Sequence, residues 1–310
     1  MALDEDMKQV LAMIAPPGAP DIAAFSVADA RANMGALFIA PPEPEKVGRV
    51  ENRTVPGPEG EVPVRIYTPA GAGPHPVLVY FHGGGWVLCN LETHDGTCRT
   101  LCNEAACIVV SVDYRLAPEH KFPAGLEDCY AVTRWVSEHA GEIGGDPDRV
   151  AVGGDSAGGN LTACVSLLAR ERGGPRLVHQ LMIYPVTDAR FDTTSYRDNA
   201  EGYFLTRGAM QWFWNHYLRG EADAANPLAA PLRASDLSGL PPATVITAEY
   251  DPLRDEGESY ARRLKEAGVP TRLARYDGVI HGFFGMGMVL AKAREATSLA
   301  ASELRKAFGA

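Results

Sequence analysis

Short apolar runs alternate with longer amphipathic ones along most of this chain. Residues 77–81, 107–112, 150–152, 181–184 and 244–247 are largely apolar and too short for helices, the pattern of strands buried on both faces. Between them lie helical patterns. One covers 126–139, with Leu126, Tyr130 and Trp135 broadly on one face. Another covers 160–170 and is stopped by Gly173-Gly174-Pro175. A third passes through Tyr260, Ala261 and Leu264 to Gly268. Residues 271–276 are the last predicted strand, and 47–55 and 62–67 read as a hairpin around Gly57-Pro58-Glu59-Gly60. This alternation predicts an α/β fold with a mostly parallel central sheet and helices on both faces.

Two segments depart from it. In the first, Leu3, Met7, Val10, Leu11 and Ile14 keep helical spacing up to Pro16-Pro17. Ser26, with Asp29 three residues on, then caps a stretch carrying Val27, Ala30, Met34, Leu37 and Phe38. Pro41-Pro42-Glu43-Pro44 reads as a linker, so residues 1–45 are expected to be a helical cap segment on a domain of residues 46–310. In the second, residues 190–225 crowd Phe191, Tyr196, Tyr203, Phe204, Trp212, Phe213, Trp214 and Tyr217 where another βα unit would fit, with Thr206 as a helix cap. A peripheral aromatic helix is the plainer reading. A lid over the carboxyl edge of the sheet, where sites of such folds lie, is the functional one.

With 310 residues and 46% hydrophobic content, one large domain is expected. The net charge of −10, with no Lys/Arg cluster, argues against nucleic acid and anionic membrane surfaces. No apolar stretch reaches the ~18 residues of a membrane span. The acidic start Met1-Ala2-Leu3-Asp4-Glu5-Asp6 is unlike a signal peptide, and a cytoplasmic location is expected. The six cysteines include no Cys-x-x-Cys pair, and nothing completes a zinc pattern around Cys98 and Cys102. They are expected to be free thiols; no metal and no cofactor is expected.

The chemistry sits in two motifs. His82-Gly83-Gly84-Gly85 reads as a loop whose backbone N–H groups can face an oxyanion, and Gly154-Asp155-Ser156-Ala157-Gly158 as a strand–turn–helix elbow presenting a serine hydroxyl. Either alone is weak; both in this order would arise by chance in roughly one shuffled chain in a thousand. Context agrees, because Val150-Ala151-Val152 precedes the serine and a buried helical run follows it. Together the motifs specify acyl transfer at an activated serine.

A serine needs a base, and the base needs an orienting acid, in the chain order Ser, Asp/Glu, His. Downstream of Ser156 the histidines are His179, His216 and His281. His281 follows the last predicted strand through Asp277-Gly278, and Asp251 follows the strand at 244–247, so both fall at strand ends. Asp255 and Glu256 are competing acids in a predicted first helical turn. Asp155 has a structural reading and a tuning one.

These motifs, with Val112-Asp113-Tyr114-Arg115-Leu116-Ala117-Pro118-Glu119, Asp251-Pro252-Leu253-Arg254-Asp255-Glu256 and His281-Gly282-Phe283, resemble the bacterial hormone-sensitive-lipase-like esterases of the α/β-hydrolase superfamily over about residues 60–285. The resemblance implies Ser156 as nucleophile, His281 as base then acid, and Asp251 as orienting carboxylate. It also implies an oxyanion hole from the N–H groups of Gly84, Gly85 and Ala157, with His82 and 113–119 positioning the glycine loop. An N-terminal cap and short- to medium-chain acyl esters follow from it too. Trp86, Phe38, Tyr203, Phe204 and Phe213 are expected to meet the substrate. The expected partners are a small ester and water, with a homodimer left open. A trypsin-like protease is argued against by the α/β pattern, and a receptor of the gibberellin type by the presence of His281. Amides or lactones stay open as alternative substrates, since they share the tetrahedral intermediate.

Overall fold

The computed structural model describes residues 2–37 and 43–309; Phe38 lies outside them. Eight strands follow in chain order: β1 (Arg49–Gly57), β2 (Gly60–Thr68), β3 (His75–Phe81), β4 (Ile108–Val112), β5 (Gly145–Asp155), β6 (His179–Ile183), β7 (Ala243–Tyr250) and β8 (Thr271–Ile280). Their helices are α1 (Glu5–Ile14), α2 (Val27–Leu37), α3 (Asp95–Ala105), α4 (Ala124–His139), α5 (Ala157–Glu171), α6 (Thr194–Asp198), α7 (Arg207–Tyr217), α8 (Glu221–Ala224), α9 (Arg254–Glu266) and α10 (Ala291–Ala307). The strands form one sheet in the order β1-β2-β4-β3-β5-β6-β7-β8. The predicted hairpin is present, with Gly57 opposite Gly60, and β2 runs antiparallel to β4. From β4 to β8 all neighbours are parallel.

The apolar runs are continuous because their residues are shared between two cores. Val77, Val79 and Phe81 of β3 face a cluster with Leu126, Val132, Leu161 and Val165 of α4 and α5. Leu78 and Tyr80 face the opposite one, with Leu101, Cys102 and Leu304 of α3 and α10. The two-residue period of a strand thus requires apolar residues at every position.

The hydrophobic pattern missed α3 and α10. Their buried faces are Cys98, Leu101, Cys102, Ala105 and Ala293, Ala296, Ala300, Ala301, Leu304, helical spacing carried mainly by small side chains. Helices with such faces pack closely but leave a weak hydrophobic signal. The last strand also runs past its predicted end at 276. Gly278 takes φ +78° inside β8 and makes an irregularity in the pairing instead of a terminating turn.

The crossover from β6 to its parallel neighbour β7 carries α6, α7 and α8, which hold most of the aromatic segment. Thr206 caps α7 as predicted, accepting from the Ala209 N–H at 2.9 Å. The N-terminal helices divide between the two faces: Met7 and Val10 of α1 join the core of α3 and α10, and Ala30 of α2 joins the other.

Candidate active site

At the end of β5 the chain turns sharply into α5, and Ser156 takes φ +57°, ψ −118°. This costly conformation for a residue with a side chain is held by its surroundings. The Ser156 N–H donates to the Ile183 carbonyl at 2.8 Å, and its own carbonyl accepts from Asn160 N at 3.0 Å. Asn160 Nδ2 donates to the carbonyls of Val186 and Ala229 at 2.9 and 2.8 Å, tying the first turn of α5 to the loops beside it. The turn closes only because its flanks are bare. A Cβ on Gly154 would lie 2.4 Å from the Phe81 carbonyl oxygen, and one on Gly158 only 1.9 Å from it.

Three strand ends converge here. Ser156 Oγ lies 3.0 Å from His281 Nε2, and His281 Nδ1 lies 2.7 Å from Asp251 Oδ2. An Nδ1 proton directed at the carboxylate leaves Nε2 as acceptor toward the serine. Asp251 is wholly buried, and its other oxygen accepts from Leu253 N at 2.8 Å.

The competing residues are engaged elsewhere. Asp255 accepts from Ser195 N and from Arg254 Nε at 2.8 and 2.9 Å. Glu256 accepts from the N–H groups of Thr187 and Asp188 at 2.6 and 3.2 Å, and burial pushes its carboxyl well above the ordinary range. His179 lies in β6 against Thr244 Oγ1 at 3.0 Å, and His216 lies in α7 against the Trp212 carbonyl at 2.8 Å.

The glycine loop faces the serine. Gly84 and Gly85 have φ of +104° and +60°, open to glycine at little cost. Among the described residues no backbone hydrogen bond uses their N–H groups. Ala157 is the first residue of α5, where an N–H has no acceptor within the helix. Gly84 and Gly85 line the same cavity as Ser156, and Ala157 follows it directly in the chain.

Asp155 anchors this loop, which favours its structural reading. Asp155 Oδ1 accepts from Gly83 N at 3.1 Å and from the Tyr80 hydroxyl at 2.8 Å, while His94 Nε2 lies 3.2 Å from it. Burial by itself would raise the Asp155 carboxyl; His94, the Tyr80 bond and His82 bring it below its ordinary value. No local sequence signal marks Tyr80 or His94. Tyr80 is one more apolar position in a buried strand, and His94 precedes a helix whose face is inconspicuous.

A cavity of about 1030 Å³ opens over the serine. Phe204, Leu205 and Phe213 line it from one segment and Ile22, Phe25 and Met34 from the other. The Phe213 ring lies on the glycine loop, so a Cβ on Gly85 would come within 2.1 Å of it. The two segments meet at Asp21, whose carboxylate accepts from the Thr206 hydroxyl. Arg31 of α2 pins the N-terminal part to the loops below, donating to the carbonyls of Val87 and Ala117 at 2.9 and 3.0 Å.

Two of the expected substrate contacts, Trp86 and Tyr203, lie outside the residues that line the cavity. Trp86 is 1% exposed and stacked on Tyr217 at 4.2 Å, supporting the glycine loop from behind. Its large ring finds a better place in the core than in the cavity. Tyr203 packs on Tyr250 at 4.9 Å and does not line the cavity.

Buried histidines give the fold an acid limit. Burial, followed by the repulsion of His94, lowers His82 to about 3, and burial lowers His179 to about 4. An unfolded histidine titrates near 6.5, so the unfolded chain binds the extra protons. The stabilisation is fully present above about pH 6.5 and is lost as pH falls toward the folded values. For His179 it amounts to roughly 3 kcal/mol across that window. The expected result is a shallower loss of stability between pH 6.5 and 4 in His179→Gln than in the wild type, read by urea unfolding. Parallel curves would contradict it.

Among the described residues no group of three or more His, Cys, Asp or Glu is arranged to hold a metal ion. No helix among them is long and apolar enough to cross a membrane.

An α/β sheet with a serine elbow, a facing glycine loop, and a histidine and an acid on later strand ends defines an α/β hydrolase. The family model described as alpha/beta hydrolase fold matches residues 78–285. Carboxylic ester hydrolase LipN of Mycobacterium tuberculosis is 48% identical over 262 residues, 83% of this chain and 70% of LipN. Carboxylesterase NlhH of the same organism is 46% identical over 295 residues, 93% of this chain and 92% of NlhH. A thermostable esterase from Pseudomonas putida superposes with a TM-score of 0.93 at 40% identity, covering 99% of this chain and 98% of that one. The chain belongs to the α/β hydrolase family, and within it to the hormone-sensitive-lipase-like esterases.

Proposed function

We propose that this protein cleaves short- to medium-chain carboxylic esters at Ser156, with His281 as base and acid, Asp251 as the orienting carboxylate, and Gly84, Gly85 and Ala157 as oxyanion donors. That it is a carboxylic ester hydrolase follows from its family and its esterase relatives. The observation that supports these roles best is the run of contacts from Ser156 Oγ through His281 to Asp251, at 3.0 and 2.7 Å, in a cavity that Gly84 and Gly85 also line.

His281 Nε2 takes the Ser156 proton as Oγ attacks the ester carbonyl, and Asp251 holds the ring and balances the imidazolium. The negative charge that develops on the carbonyl oxygen is met by donors already in place. Collapse of the tetrahedral intermediate releases the alcohol with the proton from His281. Water, activated by the same nitrogen, then releases the acid and restores Ser156.

Residues 1–45 and 190–225 act as the cover of the site, and the apolar wall of the cavity sets the acyl length. Each CH₂ accommodated contributes about 0.8 kcal/mol, close to fourfold in kcat/KM. The expected profile over p-nitrophenyl esters from acetate to palmitate rises through short chains, peaks at short to medium length, and falls once the wall is reached. Met34→Trp should move the peak to a shorter chain. Palmitate turned over faster than butyrate would overturn the covered-site reading. The six free cysteines, five of them buried, suit a reducing compartment such as the cytoplasm.

A further inference from the structure

We propose that Glu249 is a positioning residue for hydrolysis, clamping the bulge between β7 and β8 so that His281 meets Asp251 and Ser156 together. This rests on the triad assigned above. β7 and β8 pair evenly up to Ala248 opposite Tyr276, and the next pair is Tyr250 opposite Ile280. Glu249 alone therefore faces Asp277, Gly278 and Val279. The uneven stretch falls where the two strands hand over to the site, since Asp251 follows on one and His281 on the other. A bulge leaves peptide groups outside the ladder, and these need other partners to fix them.

Glu249 supplies one. Its Oε2 accepts from the Gly278 N–H at 2.8 Å, so the side chain crosses from the strand of the acid to that of the base. Its own carbonyl is held by Asn199 Nδ2 at 3.3 Å and Arg254 Nη1 at 3.0 Å, which fixes the β7 side of the clamp.

The same bulge is anchored from outside the sheet. The Gly278 carbonyl accepts from Asp4 N at 3.0 Å, and Lys292 Nζ donates to the Asp277 carbonyl at 2.6 Å. Lys292 also pairs with the Asp4 carboxylate at 2.5 Å. Gly278 has φ +78°, and a Cβ there would lie 2.3 Å from Asp4 Oδ1, so Asp4 packs directly on this position and a side chain would displace it. Burial works to raise the Glu249 carboxyl, but the Gly278 bond and Arg275 help bring it below its ordinary value, which keeps it a charged acceptor at neutral pH.

His281 begins three residues beyond this clamped peptide and must serve two partners at once. A misplacement of about 1 Å costs on the order of 10²-fold in rate. Releasing the bulge should therefore slow acylation and leave the cavity that binds the ester unaltered.

The test compares wild type, Glu249→Ala and Glu249→Gln by kcat, KM, melting temperature and the rate at which an organophosphate labels Ser156. Glutamine keeps an acceptor oxygen at the same reach and tests the clamp without the charge. The expected result is a 10- to 100-fold fall in kcat and in labelling rate for the alanine variant, KM within threefold, and recovery to within threefold of wild type for the glutamine variant. A folded alanine variant with kcat within threefold of wild type would overturn the proposal. So would a glutamine variant as slow as the alanine one. Labelling of a different serine in the wild type would bring down the triad reading itself, whereas Ser156 labelling with unaltered variants would bring down only the clamp.

Discussion

Replacing Ser156 with alanine is expected to lower kcat by about 10⁴- to 10⁶-fold with little change in KM, because only the attacking atom is lost. The fold should survive. Alanine keeps the backbone bonds that hold the elbow, from Ser156 N to Ile183 and from Asn160 N to the residue 156 carbonyl. The covalent adduct that an organophosphate leaves on the wild type should be absent from the variant by intact-mass measurement. Ser156→Ala combined with His281→Ala should be scarcely slower than Ser156→Ala alone, since the two act as one unit. A persisting adduct, or a double variant slower by the product of the single effects, would place the chemistry elsewhere.

Gly158→Ala should cost more in stability than any surface substitution in this chain. The new Cβ would sit 1.9 Å from the Phe81 carbonyl oxygen and 2.8 Å from that of His82. These are backbone atoms of β3 and of the glycine loop, so no rotamer change relieves the clash. Either α5 or β3 must shift, at a cost of about 3 kcal/mol or more. The shift would also part the elbow from the oxyanion donors, so activity should fall with stability. Gly96→Ala is the control. It lies in α3 with no neighbour within 4 Å of its added carbon, and it should be neutral or stabilising by up to about 1 kcal/mol. Urea unfolding of the two variants beside the wild type checks both. A Gly158→Ala protein as stable as the control would mean that the strand and helix do not approach as closely as described.

The chain's local patterns were enough for the sheet and for the elbow. Strands buried on both faces need unbroken apolar runs, and a turn that brings β5, α5 and β3 together needs glycine where a Cβ would strike the backbone. Both requirements are written into neighbouring residues and can be read without a neighbour in space. The order of motifs likewise separated His281 from His179 and His216, because only His281 follows a strand end as the site requires.

Other features depended on residues far apart in the chain. The alanine face of α10 and the cysteine face of α3 are too small to stand out until packed against the sheet. Trp86 and Phe213 are both large aromatic residues near a motif, yet one is stacked on Tyr217 in the core and the other rests on Gly85 in the cavity. Asp255 and Glu256 compete with Asp251 in the sequence, and in the structure Ser195 and the N–H groups of Thr187 and Asp188 claim them. Which carboxylate faces a histidine depends on the pairing of β7 with β8 and on one bulge within it. That is a relation between strands, set by hydrogen bonds from segments as distant as Asp4 and Lys292, and no local pattern of apolar and polar residues encodes it.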